Sequence, residues 1–284
     1  GMGKRTNTIL QAAFFKLANV MPIEEAVQYM KDAATKSYSK KGQDIVDSNH
    51  KAIDAGVTAF TKIEVPAEWA DAVDCGAAEK SEGPAKLVKM VDTIMKPVAK
   101  MDGDSLPVSA FMDHADGTFE HGAAAYEKRG VAVNVPEWNA ATCVGCNKCA
   151  FVCPHATIRP YALSEEELAN APENIKTGSK EKTVAKQGYT FTLAVSPMDC
   201  MGCGVCVGVC PTKSLKMVSR ESQDDQQKVF DYCVANVTEK EEVVKNINAI
   251  SSQFKQPLLE FSGSCAGCAE TAYARLITQL FGDR

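Results

Sequence analysis

The sequence contains no apolar run approaching the ~18 residues of a membrane span, which excludes a spanning helix within it. Basic charge is not in excess. Lys and Arg number 31 against 36 Asp and Glu, a net charge of −5, which argues against a nucleic-acid partner. No secretory leader pattern is present, and 284 residues far exceed a secreted disulfide scaffold. Histidines number only 4. His50 falls on a charged helix face and reads as a surface residue, while His114, His121 and His155 are too scattered to form a metal site. The remaining composition, 45% hydrophobic and 24% charged, is that of a soluble globular chain long enough for about two domains. One count is high. The chain has 12 cysteines, and a need for free thiols points to the reducing cytoplasm.

The cysteines are ordered. Cys143-x2-Cys146-x2-Cys149-x3-Cys153-Pro154 is repeated as Cys200, Cys203, Cys206, Cys210 and Pro211. This is the ligand run of a bacterial two-cluster iron–sulfur domain, in which the fourth cysteine of each run ligates the other cluster. Cys143, Cys146, Cys149 and Cys210 are therefore expected to hold one 4Fe–4S cluster, and Cys200, Cys203, Cys206 and Cys153 the other. Glycines in the runs let backbone amides approach the sulfurs, and such amides help set reduction potential. A zinc module would use two separated cysteine pairs, leaving a third cysteine two residues on without a purpose. Cys75 and Cys233 read as small buried apolar side chains.

Helices are expected over Thr8–Leu17, Ile23–Lys36 (early Glu24 and Glu25, late Lys31 and Lys36) and Gln43–Phe60. Val65–Gly83 reads as a linker and Pro84–Ala99 as an amphipathic helix. Asp104–Trp138 is irregular, with Asp116-Gly117-Thr118-Phe119, a solvated charge triplet Glu127-Lys128-Arg129 and a short strand over Val131–Val135. Ser164 with Glu167 three residues on forms a capping box. The lysine-rich stretch up to Gln187 reads as an exposed insertion, followed by strands over Gly188–Val195 and Leu215–Val218. Helices are expected over Ser222–Val234 and Thr238–Ile250, then a strand over Leu258–Phe261. A closing helix spans Gly267–Phe281, with Ala272, Leu276 and Leu280 on one face. Cys265-Ala-Gly-Cys268 precedes it. Such a pair can be a redox dithiol, half a zinc site, or two ligands of a third cluster.

These residues resemble a family. Residues 115–160, with the Glu-Lys-Arg triplet and first cassette, look like the corresponding stretch of pyruvate:ferredoxin (flavodoxin) oxidoreductase. Residues 261–284 resemble the opening of that family's thiamine-binding domain, and residues 1–22 the tail of its gamma domain. The resemblance implies an internal fragment of α+β class. Its expected parts are a helical gamma-domain piece (1–80), a Glu-Lys-Arg linker domain (81–135) and a two-cluster ferredoxin-like domain (136–250) with an insertion at about 161–188. The start of an α/β thiamine diphosphate domain follows (251–284).

The implied chemistry is oxidation of pyruvate with coenzyme A to acetyl-CoA and CO2, electrons leaving through 4Fe–4S clusters to ferredoxin or flavodoxin. By the same resemblance, Cys265 and Cys268 are partial ligands of a third 4Fe–4S cluster, and Glu270 contacts thiamine diphosphate. Thiamine diphosphate with Mg2+, the remaining domains and a homodimer belong to the intact enzyme. No residue here is expected to be catalytic, and the piece alone is expected to be inactive, with Cys265 and Cys268 free or joined to each other. Ala269 stands where the family commonly has glycine, which would perturb the turn if that position needs positive φ. Rival readings are an oxidoreductase for another 2-oxoacid, a non-enzymatic ferredoxin-like carrier, or a zinc module.

Overall fold

A computed structural model describes residues 6–71, 81–178 and 182–282. The chain divides into two compact units, Gly1–Ala78 and Glu79–Arg284. The first is a helical trio, α1 (Asn7–Ala18), α2 (Ile23–Tyr38) and α3 (Gln43–Thr58). Ala12 and Ile53 are fully buried between them. A Cβ on Gly56 would lie 2.7 Å from that of Ala12, so α1 and α3 cross where only a glycine fits. His50 is not merely on the surface. Its Nε2 lies 2.9 Å from Thr35 Oγ1 and 3.0 Å from the Lys31 carbonyl, tying α3 to α2.

The second unit opens with α4 (Ala85–Met90), a π-helical turn over Val91–Met95 and α5 (Lys96–Ala99). The wide turn precedes Pro97, which lacks an N–H and would crowd a regular helix. The core of this unit is built on two antiparallel ribbons. Strand β1 (Asn134–Trp138) pairs with β4 (Leu215–Ser219), from Asn134 opposite Ser219 to Trp138 opposite Leu215. Strand β2 (Ile158–Leu163) pairs with β3 (Thr190–Val195), from Ile158 opposite Val195 to Leu163 opposite Thr190. The first strand is thus three residues later than Val131–Val135. Strand β2 takes up the first residues of the expected insertion. Pro136 and Pro160 lie inside strands because a two-stranded ladder leaves alternate N–H groups unpaired.

Cassette one links β1 to β2 through the short helix α6 (Lys148–Val152). The capping box is formed as expected at α7 (Glu165–Ala169). The lysine-rich insertion is not wholly exposed, because α8 (Lys182–Lys186) buries Val184 in the main core. Cassette two links β3 to β4 through α9 (Val205–Gly208). Helix α10 (Asp224–Asn236) follows.

The expected helix over Thr238–Ile250 is reduced to α11 (Glu241–Val244). Asn248 Oδ1 accepts from the Ile250 and Ser251 amides at 2.8 and 3.1 Å, and Ser251 Oγ donates to the Asn246 carbonyl at 2.7 Å. These local bonds replace helical ones. Leu258–Phe261 is not a strand. Phe261 has φ +48°, and its amide reaches a single carbonyl, that of His155, at 2.9 Å. Helix α12 (Ala269–Phe281) closes the described chain, and it buries Thr271, Arg275 and Gln279 rather than Ala272, Leu276 and Leu280. Its docking surface offers backbone carbonyls of α6, which call for donors. Among the described residues no helix is long and apolar enough to cross a membrane.

Glu167 makes the capping box a tertiary tie. Its carboxylate accepts from the Ser164 amide at 2.8 Å, the Thr238 amide at 3.0 Å and Lys240 Nζ at 2.6 Å. Burial raises its pKa, but Lys240 and the two amides outweigh that and hold it at about 2, against an ordinary 4.5. Glu167→Gln should lower the unfolding free energy by about 2 kcal/mol at pH 7. A depressed carboxyl stabilises above its unfolded value, so the contribution is lost as pH falls from 4.5 through about 2. Urea titrations of both proteins at pH 7 and in this acid range should show the gap closing.

Candidate metal centres

The strand pairing dictates how the cassettes meet. Trp138 faces Leu215, so the chain entering cassette one runs beside the chain leaving cassette two. Ile158 faces Val195, so the end of cassette one lies beside the start of cassette two. Each cassette's last cysteine is thereby delivered to the other cassette's first three. Cys143, Cys146, Cys149 and Cys210 line one small cavity with Trp138, Phe191 and Leu215. Around Cys206, the thiols of Cys153, Cys200 and Cys203 lie near enough for their charge to oppose its ionisation.

Backbone amides point at the sulfurs. Gly145 N–H donates to Cys143 Sγ and Gly202 N–H to Cys200 Sγ, both at 3.4 Å, and Ser214 N–H donates to Cys210 Sγ at 3.2 Å. Gly202 has φ +67°, and a Cβ there would lie 3.0 Å from the Asn134 carbonyl oxygen. The amide approach is thus reserved for glycine. Burial pushes the Cys200 thiol up to about 11 and Cys206 to about 12, and raises Cys149 as well. Burial acts most strongly on Cys210 too, but hydrogen bonds from the Ser214 amide, from Thr212 and from the Leu215 amide together outweigh it and hold that thiol below its ordinary value.

This donor set fits iron–sulfur clusters. Each site offers four thiols from two loops, and buried thiolates call for a cationic core. The indole Nε1 of Trp138 is buried without a hydrogen-bond partner, and Trp138 lines the first thiol cavity, where cluster sulfur would accept.

The Cys265–Cys268 turn packs on the second thiol set. A Cβ on Gly267 would lie 3.5 Å from Cys203 Cβ and 4.0 Å from its sulfur. Cys265 is exposed and Cys268 half-buried. The Thr271 side chain and amide hold the Cys268 thiol below its ordinary pKa at the α12 N-terminus. Glu270 lies exposed in the first turn of α12. Ala269 is the first helical residue, not at positive φ, so its side chain strains nothing. Cys233 is fully buried against Phe230 and Phe261, and burial pushes its thiol up to about 12. Cys75 lies outside the described residues.

Two groups have roles that local sequence hides. The charge triplet is not simply solvated. Lys128 Nζ reaches Asp199 Oδ2 at 2.7 Å and lies 5.1 Å from the Phe261 ring centre, while Arg129 pairs with Glu127. The Asp199 side chain is only 3% exposed and immediately precedes Cys200 of the second cassette. His155 is buried, with Nδ1 3.0 Å from the Ser262 carbonyl oxygen, tying the end of cassette one to the segment before Cys265. In both cases the signal was distant in sequence, since an acid or a carbonyl that pairs only after folding leaves no local pattern.

Two domain families match, a domain of unknown function over residues 77–132 and a 4Fe-4S dicluster domain over residues 142–214. Over all of its length the chain is 47% identical to the pyruvate-flavodoxin oxidoreductase of Enterobacter agglomerans. It is 46% identical to the pyruvate:ferredoxin oxidoreductase of Moorella thermoacetica. It covers 24% of each of these two proteins. It is also 40% identical, again over its whole length, to 15% of the mitochondrial pyruvate dehydrogenase [NADP(+)] of Euglena gracilis.

Lys128→Met leaves the buried Asp199 carboxylate with the Ser196 hydroxyl but no counter-charge, and should destabilise the second unit by about 2 kcal/mol. Adding Asp199→Asn removes the stranded charge and should restore most of that loss, measured by urea unfolding of the two variants beside wild type.

Proposed function

We propose that this chain, a segment homologous to the pyruvate:ferredoxin and pyruvate:flavodoxin oxidoreductases, is the electron-transfer segment of such an enzyme, working in the cytoplasm. The relatives' names couple pyruvate to flavodoxin or ferredoxin. The observation that carries the reading is the crossing of the cassettes, which gives each site three thiols from one loop and one from the other. In this reading Cys143, Cys146, Cys149 and Cys210 hold one 4Fe–4S cluster, and Cys200, Cys203, Cys206 and Cys153 the second. The clusters supply one-electron chemistry when bound.

The chain's residues set the direction of travel. Cys265 and Cys268 contribute to a third cluster near thiamine diphosphate and its Mg2+, which other parts of the enzyme complete, and Glu270 faces that cofactor. The packing of Gly267 against Cys203 supports an input beside the second site. The apolar packing of Trp138, Phe191, Leu193 and Leu215 excludes water around the sites. Amides from Gly145, Gly202 and Ser214 hold the sulfurs in place and favour their anionic state. Electrons then leave from the first site, beside half-exposed Cys143 and Cys146, to ferredoxin or flavodoxin. The full reaction, pyruvate with coenzyme A to acetyl-CoA and CO2, and the homodimer belong to the intact enzyme.

Iron and acid-labile sulfide should each be about eight per chain after anaerobic purification, with a broad visible absorbance that bleaches on reduction. About twelve would mean that the Cys265–Cys268 pair completes a cluster within this chain. A colourless protein binding zinc after anaerobic reconstitution would contradict the reading.

A further inference from the structure

Helix α12 buries a charge without an acid beside it. Arg275 is only 2% exposed. Its guanidinium donates to five oxygens: Nε to Cys153 O at 3.2 Å, Nη2 to Ala150 O at 3.1 Å and Phe151 O at 2.8 Å, and Nη1 to Gln253 Oε1 at 3.3 Å and Gln279 Oε1 at 2.7 Å. All five are neutral. Among the described residues no carboxylate comes within ion-pair distance of Arg275. Arg159 provides the contrast, since it is also buried but is paired with Glu260.

A buried cation satisfied only by dipoles is costly, because hydrogen bonds to neutral oxygens do not cancel its charge. The ionisable thiol that acts on it is that of Cys153. Three of the five oxygens belong to the stretch Ala150–Cys153, between the last ligand of the first site and the crossing ligand of the second. Ionised Cys153 favours the charged form of Arg275.

We propose that Arg275 is the internal counter-charge of the iron–sulfur centre ligated by Cys153. The proposal rests on the two-cluster reading above. A 4Fe–4S centre with four thiolates is a net anion and becomes more negative on accepting an electron. A fixed guanidinium beside it therefore favours the reduced state and raises the potential of that centre over the other. The same fork holds the Cys153 backbone to α12, whose N-terminal turn carries Cys268, so electrical and mechanical roles meet in one side chain. Arg275 touches no substrate and acts through the centre.

The test is a reductive titration followed by electron paramagnetic resonance on the anaerobically loaded chain, comparing wild type, R275M and R275K. R275M should retain iron, with one of the two midpoints displaced to lower potential and the other unmoved. R275K, which keeps the charge but loses the fork, should hold that midpoint near wild type. The proposal is overturned if R275M moves neither midpoint or both equally, or if R275K moves the midpoint as far as R275M. If R275M loses its iron, Q279E decides, because it leaves Arg275 in place and gives it a private carboxylate. One of the two midpoints must then fall with the other unmoved, and no change, or an equal change in both, overturns the proposal. Should wild type itself hold fewer than two clusters, the underlying reading fails before any variant is compared.

Discussion

Thiols gathered in an apolar interior resist ionisation, and everything else in the second unit answers to that constraint. Burial, with the neighbouring thiols adding to it, pushes Cys200 and Cys206 to about 11 and 12. A cationic core bound by four thiolates reverses the balance, and the protein adds smaller aids of the same sign. Backbone amides reach Cys143, Cys200 and Cys210, and the indole of Trp138 is left without another partner. The core residues Trp138, Phe191, Leu193 and Leu215 pack directly on the cassette cysteines, so in the proposed reading folding and cluster binding are coupled.

The two ribbons are what make the crossing possible. A single cassette is a short loop with three thiols in reach and a fourth turned away. Pairing β1 with β4 and β2 with β3 sets the exit of each loop beside the start of the other, so neither site is complete until both ribbons form. Segments that flank the cassettes then dock by charge. Lys128 reaches Asp199, Arg159 reaches Glu260, and Arg275 reaches the carbonyls of α6. Each links a distant stretch of chain to a cassette or to the strand that follows it.

Much of this was legible where the physics is local. Cassette spacing, the Ser164–Glu167 box and the acid-first, lysine-last pattern of Ile23–Tyr38 each express short-range chemistry. What failed did so for identifiable reasons. Strand β2 was masked by Pro160, which a two-stranded ribbon tolerates. The helix over Thr238–Ile250 was interrupted by Asn248 and Ser251 bonding to nearby backbone. Ala272, Leu276 and Leu280 form a half-buried stripe on α12, but the fully buried stripe is the adjacent one, where the carbonyls of Ala150, Phe151 and Cys153 select Arg275. Lys128 looked solvated because its partner, Asp199, is far along the chain.

The central claim is that the last cysteine of each cassette belongs to the other cassette's centre. The most direct measurement is thiol alkylation of the loaded, native Cys210→Ala chain, read residue by residue by mass spectrometry. The account predicts labelling of Cys143, Cys146 and Cys149, with Cys153, Cys200, Cys203 and Cys206 protected. Labelling of Cys200, Cys203 and Cys206 instead, with the first cassette protected, would contradict it.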